Sequence, residues 1–160
     1  MSAQRGMVLL LALVLSLLLG LFAISALRDT LQQMALAGSA LAAARAFEEA
    51  EASLLAGALQ LALAPPSPCQ VCAPPPAPHG LIDGQPPWQA SEHGFFLVQQ
   101  LGVSTRAAHM PEGARVVLFR ITAVSRQARA RQVLEAIYAV EPGQALAPRR
   151  IAWRQRFRES

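Results

Sequence analysis

Two cysteines, Cys69 and Cys72, have the spacing of a redox dithiol, a short disulfide or half of a metal site. A redox dithiol works best at the start of a helix, because the helix N-terminus lowers the thiol pKa. Here prolines surround the pair instead. A zinc site needs two further ligands, and His79 is the one near candidate. The pattern favours a structural disulfide, and redox and metal chemistry remain as alternatives.

The other side chains capable of chemistry do not converge on a catalytic pattern. His79, His93 and His109 are scattered along the sequence. A cluster of acidic residues between Glu48 and Glu51 falls in a helix-forming stretch, where the offsets place its carboxylates on different faces. The sequence contains no glycine-rich phosphate loop and no Ser-His-Asp order. We therefore expect no catalytic residues, metal or cofactor, and we expect these carboxylates to be solvated or to contact a neighbouring subunit.

The chain is organised around an apolar run, residues 7–27, that follows a six-residue leader containing Arg5. A helix rises about 1.5 Å per residue, so this run has roughly the thickness of the hydrocarbon layer of a bilayer. Arg5 favours a cytoplasmic N-terminus. Three interpretations compete. A secretory signal peptide usually has a shorter apolar core, and the other two are a plain signal anchor and a pilin-type signal cut after Gly6.

Helix-forming residues continue to Leu63 without a proline. Residues 28–63 form an amphipathic pattern whose apolar positions recur every three or four residues, which predicts one face to bury. The apolar positions assigned to that face are Leu27, Leu31, Met34, Leu41, Phe47, Leu54, Leu55, Ala58 and Leu61.

A proline-rich connector, residues 64–94, ends the helix and contains the cysteine pair. After it the apolar period changes to that of strands, at residues 95–101, 114–123, 131–140 and 150–157. The last strand is predicted to alternate, with Trp153 on one side and Arg150 and Arg154 on the other. Four strands with short links predict an antiparallel meander in residues 95–160, covered by the C-terminal half of the helix. The expected fold class is α+β.

Charge is distributed unevenly along the chain. Residues 1–112 have 4 Arg and 7 acidic residues, net −3, whereas residues 113–160 have 10 Arg and 3 Glu, net +7. A basic C-terminal half is typical of nucleic-acid or acidic-polymer binding, but it also occurs on a solvated strand face. We favour the solvated face and expect no nucleic acid as the primary ligand.

The whole pattern resembles the type IV pilins, whose long N-terminal helix and C-terminal antiparallel sheet form a lollipop, and within them the minor pilins of the PilX family. The segments that carry the resemblance are spread over most of the chain. They are residues 4–10 (Gln-Arg-Gly-Met-Val-Leu-Leu), 27–35, 45–52, 119–123 and the pair Trp153-Arg154.

The resemblance implies that a prepilin peptidase cuts after Gly6 and that Met7 becomes an N-methylated N-terminus. Most major pilins have glutamate at the fifth mature position, which here is Leu11. The absence of that carboxylate implies a place in an initiating or tip complex rather than in the filament body. Ser16 and Gly20, small residues four apart, would allow close packing of the membrane helix against other helices.

The resemblance also implies partners and a location. The partners are other minor pilins, the major pilin, the peptidase and the inner membrane. The chain is expected to cross that membrane once, with a cytoplasmic N-terminus and a periplasmic head, and then to enter the pilus at or near its tip. Two alternatives stay open. One is a minor pseudopilin of type II secretion, which also lacks the glutamate, and the other is a membrane-anchored periplasmic redox or binding domain that uses Cys69 and Cys72.

Overall fold

The computed structural model describes residues 2–73, 87–127, 130–143 and 148–156, with side chains described for residue 7 and from residue 9 onward. One long helix precedes an antiparallel sheet, which confirms the predicted α+β class. Contacts divide the chain into two units, Met1–Leu41 and Ala42–Ser160. The centre of the predicted connector, with His79, lies outside the described residues, and so does Phe157.

Helix α1 spans Ser2–Leu63. Its last turn is closed by the amide of Ala64, which donates to the carbonyl of Gln60 at 2.8 Å. Pro65 and Pro66 follow at once and have no backbone N–H to continue the ladder. The predicted end at Leu63 is confirmed.

In the unit Met1–Leu41, the described side chains of α1 are exposed. They include most of the apolar run, for example Leu13, Leu17 and Phe22, which is 70% exposed. By length and composition α1 is apolar enough to cross a membrane, and a signal sequence near an N-terminus has the same properties. This part of the chain is therefore a candidate membrane anchor or signal sequence.

The sheet has five antiparallel strands in the order β1-β2-β3-β4-β5. Their bounds are β1 Gln89–Ala90, β2 Gly94–Ser104, β3 Val116–Ser125, β4 Val133–Val140 and β5 Arg149–Arg156. The meander is as predicted, but the predicted number of four strands is wrong. Strand β1 has two residues, which is too short to show an alternating pattern, and it pairs with Phe95 and Phe96 of β2.

Two bulges interrupt the alternation of side chains between the two faces of the sheet. In β2 the register shifts between Gln100 and Gly102, and Gly102 has a φ of 131°, a conformation that favours glycine. In β5 the register shifts at Ile151, so that Arg150 lies opposite Tyr138 and Ala152 lies opposite Ile137. The prediction that Arg150 lies on the face opposite Trp153 is therefore wrong, because the extra residue brings it to the same face.

The main core lies between the C-terminal part of α1 and one face of the sheet, the helix face. It is formed by Leu54, Leu61, Phe96, Phe119, Ile121, Ala123, Ala136, Tyr138 and Val140. Gly57 lies at the closest approach, since a Cβ there would be 2.7 Å from Cγ2 of Ile121 and 3.1 Å from Cδ2 of Phe96. Small residues at this crossing let the helix lie close to the sheet.

The buried side of α1 differs from the predicted one. Small residues, Ala46, Ala50 and Ser53, are fully buried beside Leu54. Leu55, assigned to the buried face, is 60% exposed instead. A prediction from apolar periodicity assigns large apolar side chains to the buried face. Close packing of a helix on a sheet instead favours small side chains at the contact.

The opposite face of the sheet, the far face, has a smaller core under Trp88. Trp88 packs with Phe95, Leu97 and Val124, and Val133 lies against them. Trp88 is 6% exposed although it belongs to the predicted connector. The packed part of the chain that contains the sheet therefore includes Trp88, just before β1.

Candidate interaction surfaces and the far-face polar ladder

The predicted packing residues of the membrane-length run lie on the exposed surface of their own unit. Leu11 is 67% exposed. The hydroxyl of Ser16 donates a hydrogen bond to the carbonyl of Leu13 at 2.9 Å, so this donor is satisfied within the helix. A Cβ added at Gly20 would meet nothing within 4 Å. Ser16 and Gly20 are one turn apart on one side of α1 and leave that side open.

The predicted processing residues, Gly6 and Met7, both lie within α1. Met7 is 70% exposed. Their roles remain predictions, as does the role of Leu11.

In the unit Ala42–Ser160, α1 has a second apolar side that the sheet leaves uncovered. Leu55, Leu59 and Leu63 are 60%, 68% and 82% exposed. Residues four apart lie above one another on a helix, so the three side chains form a stripe, called here the outer leucine stripe. Fully burying one leucine side chain contributes about 1.5–3 kcal/mol, so a partner helix would gain from covering it.

The predicted disulfide joins Cys69 to Cys72, whose Cα atoms are 5.3 Å apart. The loop is held against β2, because the amide of Cys69 donates to the carbonyl of Gln100 at 3.0 Å and Pro68 forms a parallel bridge with the same residue. The pair follows the C-terminus of α1, and the described residues 69–73 are not helical. The geometry is that of a clamp that fixes the chain after α1 to the sheet.

The metal alternative involves His79, which lies outside the described residues. In the residues that the structure describes, no three His, Cys, Asp or Glu side chains are grouped closely enough to hold an ion. The cysteines are occupied by their bond to each other. Glu49, one of the acidic cluster, accepts the amide of Gln127 at 3.1 Å and so anchors the link after β3 within its own unit.

A polar ladder crosses four strands on the far face, and sequence reasoning missed it. Glu135 of β4 is 2% exposed and pairs with Arg120 of β3, whose Nε is 3.3 Å from Glu135 Oε1. Arg154 of β5 donates to Glu135 Oε2 from the other side. The Nη2 of Arg120 donates to Oε1 of Gln99 at 3.0 Å, which extends the ladder to β2.

The electrostatics of the ladder leave it net positive. Burial lowers the pKa of Arg120; Glu135 opposes that effect, and Arg154 and Arg156 add to it. One carboxylate thus compensates two guanidinium groups. Beside the ladder is an open depression of about 310 Å³, lined by Arg120, Glu135, Ile137, Ala152, Trp153 and Arg154.

Strand alternation is the sequence signal that would have found the ladder. Gln99, Arg120 and Glu135 each occupy a position on the far face of an otherwise apolar strand, and buried charges are normally paired. On the helix face, burial raises the pKa of Tyr138, Arg150 opposes that effect, and Glu51 adds to it. Tyr138 is part of the core and does not belong to the ladder.

Strand β5 forms one edge of the sheet and carries four arginines, Arg149, Arg150, Arg154 and Arg156. On its helix face Trp153 is 41% exposed and meets the ring of Phe47 edge to face, with centroids 6.0 Å apart. The prediction of an arginine-rich strand thus holds, and the structure places it at an exposed edge.

The described residues thus leave three surfaces exposed, which are the apolar run of α1, the outer leucine stripe and the arginine-rich edge strand β5. Comparison with family models, with curated proteins and with solved structures finds no match to this chain.

Proposed function

We propose that this chain is a structural subunit of a type IV pilus, a minor pilin of the PilX type that packs its helix against other pilin helices in an initiating or tip complex. The observation that carries the proposal is the outer leucine stripe. Leu55, Leu59 and Leu63 follow the membrane-length run and are exposed beside a fully packed core. A subunit that works alone has no use for such a stripe, whereas helix–helix assembly buries it.

Further support comes from the sequence of the first unit. The run of residues 7–27 has no ionisable side chain and begins directly after Gly6. At Leu11 there is no carboxylate to pair with the terminal amine of a further subunit, which suits an end position. Ser16 and Gly20 leave one side of the helix open for close approach. In this proposal the subunit is held in the inner membrane until neighbouring helices replace the lipid.

Site-specific photo-crosslinking in intact cells tests the proposal. A photoreactive amino acid at position 59 should crosslink to another pilin subunit, because the stripe would then lie in a helix–helix contact. The matched control is position 115, since Arg115 is also exposed in the same unit but lies off the helix. Crosslinks to pilins from position 59 and few from position 115 support the proposal. Equal yields from both positions, or products without any pilin, contradict it.

A further inference from the structure

Strand β5 has the geometry of an edge that accepts another strand. Within the part of the chain that the structure describes, β5 pairs with β4 on one side only and is the last strand in the sheet order. Most of its residues are exposed, including Arg149, Arg150 and Arg154. In an antiparallel edge strand, alternate backbone N–H and C=O groups point away from the sheet and are a template for a further strand.

We propose that β5 binds an extended acidic segment of a partner protein, which adds to the sheet as a sixth strand. The proposal goes beyond the pilin function and does not depend on it. Strand addition supplies affinity through main-chain hydrogen bonds and specificity through alternate side chains. The charges of β5 select the partner.

The charge of the edge is positive and mostly unpaired. Arg154 contacts Glu135, yet its side chain is 69% exposed. Among the described residues, no carboxylate lies within 4.0 Å of the guanidinium groups of Arg149, Arg150 or Arg156. Like charges placed opposite each other destabilise a strand pair, so a second copy of β5 is rejected and an acidic strand is favoured.

The register of β5 gives the incoming strand a pattern. Arg154 and Arg156 lie on the far face two residues apart, and residues at that spacing are roughly 7 Å apart along a strand. Carboxylates two residues apart in an extended peptide have the same spacing. On the other face Trp153, half-exposed beside Phe47, offers an apolar contact. The expected partner sequence is therefore acidic, any residue, acidic, apolar.

The bulge at Ile151 limits where pairing is regular. Residues 152–156 continue the ladder with β4 in a constant register, whereas the register shifts between Arg150 and Ala152. Bulges and charges on edge strands prevent association of identical edges. In β5 the bulge leaves a stretch of five residues in regular register, from Ala152 to Arg156.

A polyanion such as duplex DNA would also be attracted by these arginines. Two observations favour a peptide. The charges lie on an open strand edge whose backbone groups a nucleic acid would not use, and Trp153 lies on the face opposite Arg154 and Arg156. Duplex DNA is therefore the competing outcome of the test.

The test uses the full chain in detergent micelles and a fluorescent peptide, Thr-Val-Glu-Thr-Glu-Val-Thr. The peptide is palindromic, so it presents the same pattern in parallel and antiparallel pairing. Binding is followed by fluorescence anisotropy, and hydrogen exchange of residues 152–156 is measured with and without peptide. One control peptide has both glutamates replaced by glutamine, and the other has alternate backbone amides N-methylated.

We expect both control peptides to bind about tenfold or more weakly than the acidic peptide, because charge and main-chain pairing are each required. The bound peptide should slow amide exchange in residues 152–156. Arg156→Glu should also weaken binding about tenfold, and Arg156→Ala less. Arg115→Glu is the matched control, since it makes the same change of charge at an exposed position off the edge, and it should leave binding almost unchanged.

Three results would overturn the proposal. One is equal binding of the N-methylated peptide, which would show simple charge attraction. Another is efficient displacement of the peptide by duplex DNA at equal charge concentration. The last is failure of the acidic peptide to bind the wild-type chain.

Discussion

At the scale of single residues, Glu135 connects the two arginines of the polar ladder on the far face. It is 2% exposed and takes Arg120 on one side and Arg154 on the other. Arg120, whose side chain is 15% exposed, has Gln99 as its second partner. Breaking a buried ion pair by removing one partner leaves a buried charge uncompensated, which is costly. The Arg154 side chain is mostly exposed, so water solvates its charge and weakens its ion pair with Glu135.

This difference leads to a prediction for two variants. Glu135→Gln should lower the free energy of unfolding by about 3 kcal/mol, because the Arg120 charge is then buried without a carboxylate. Arg154→Ala should cost about 1 kcal/mol or less, as for an exposed ion pair. Denaturant unfolding of the chain in detergent, followed by the fluorescence of its two tryptophans, measures both. Equal, small losses in the two variants would show that the ladder is solvated and contributes little.

At the scale of elements, the contact of α1 with the sheet depends on small residues. Ala46, Ala50 and Gly57 are buried against the sheet, and Ile121 approaches Gly57 most closely. A close-packed interface has no space for an added methyl group unless a neighbour moves. The small size of these residues thus determines how closely the helix lies to the sheet.

Gly57→Ala tests that account. Although alanine favours a helix over glycine, its Cβ would meet Ile121 and Phe96, and overpacking costs about 1–3 kcal/mol. We expect a net loss in the free energy of unfolding. Gly38→Ala is the matched control on the same helix, since a Cβ there meets nothing within 4 Å, and it should be neutral or slightly stabilising. The same effect from both substitutions would contradict close packing at Gly57.

The elements also show how much of the fold the sequence allowed us to predict. The end of α1 at Leu63, the meander and the cysteine bond follow from proline position, strand period and cysteine spacing, which are local signals. Strand β1 and the bulge at Ile151 depend on pairing between distant segments. Local periodicity does not contain that information, so the face of Arg150 was predicted wrongly. The face of Leu55 was predicted wrongly because the sheet covers the side of α1 that carries small residues.

Some of the candidate surfaces could also be predicted from the sequence, and others could not. The apolar run and the arginines of the last strand were visible in the sequence as composition. The polar ladder was not, because its four members come from four strands and meet only when the register is known. The outer leucine stripe required knowledge of which helix side the sheet covers. Surfaces made by tertiary packing need the structure.

At the scale of the whole molecule, the two units offer different surfaces to partners. The unit Met1–Leu41 exposes the apolar run, and the unit Ala42–Ser160 exposes the outer leucine stripe and the basic edge strand. An apolar helix surface is stable when lipid or other helices cover it. In the function proposed above, the subunit passes from the membrane to a filament, where helix packing holds it, and β5 stays available to a further partner.

The most direct test of the pilin proposal is the mass and abundance of this chain in sheared, purified pili. We predict a mature protein that begins at Met7, carries one added methyl group, and is present in small amounts relative to the major pilin. A Gly6 variant with a bulky residue should keep residues 1–6 and disappear from the pili. A chain that keeps its leader in wild-type cells, or that is as abundant as the major subunit, would contradict a minor pilin at the filament end.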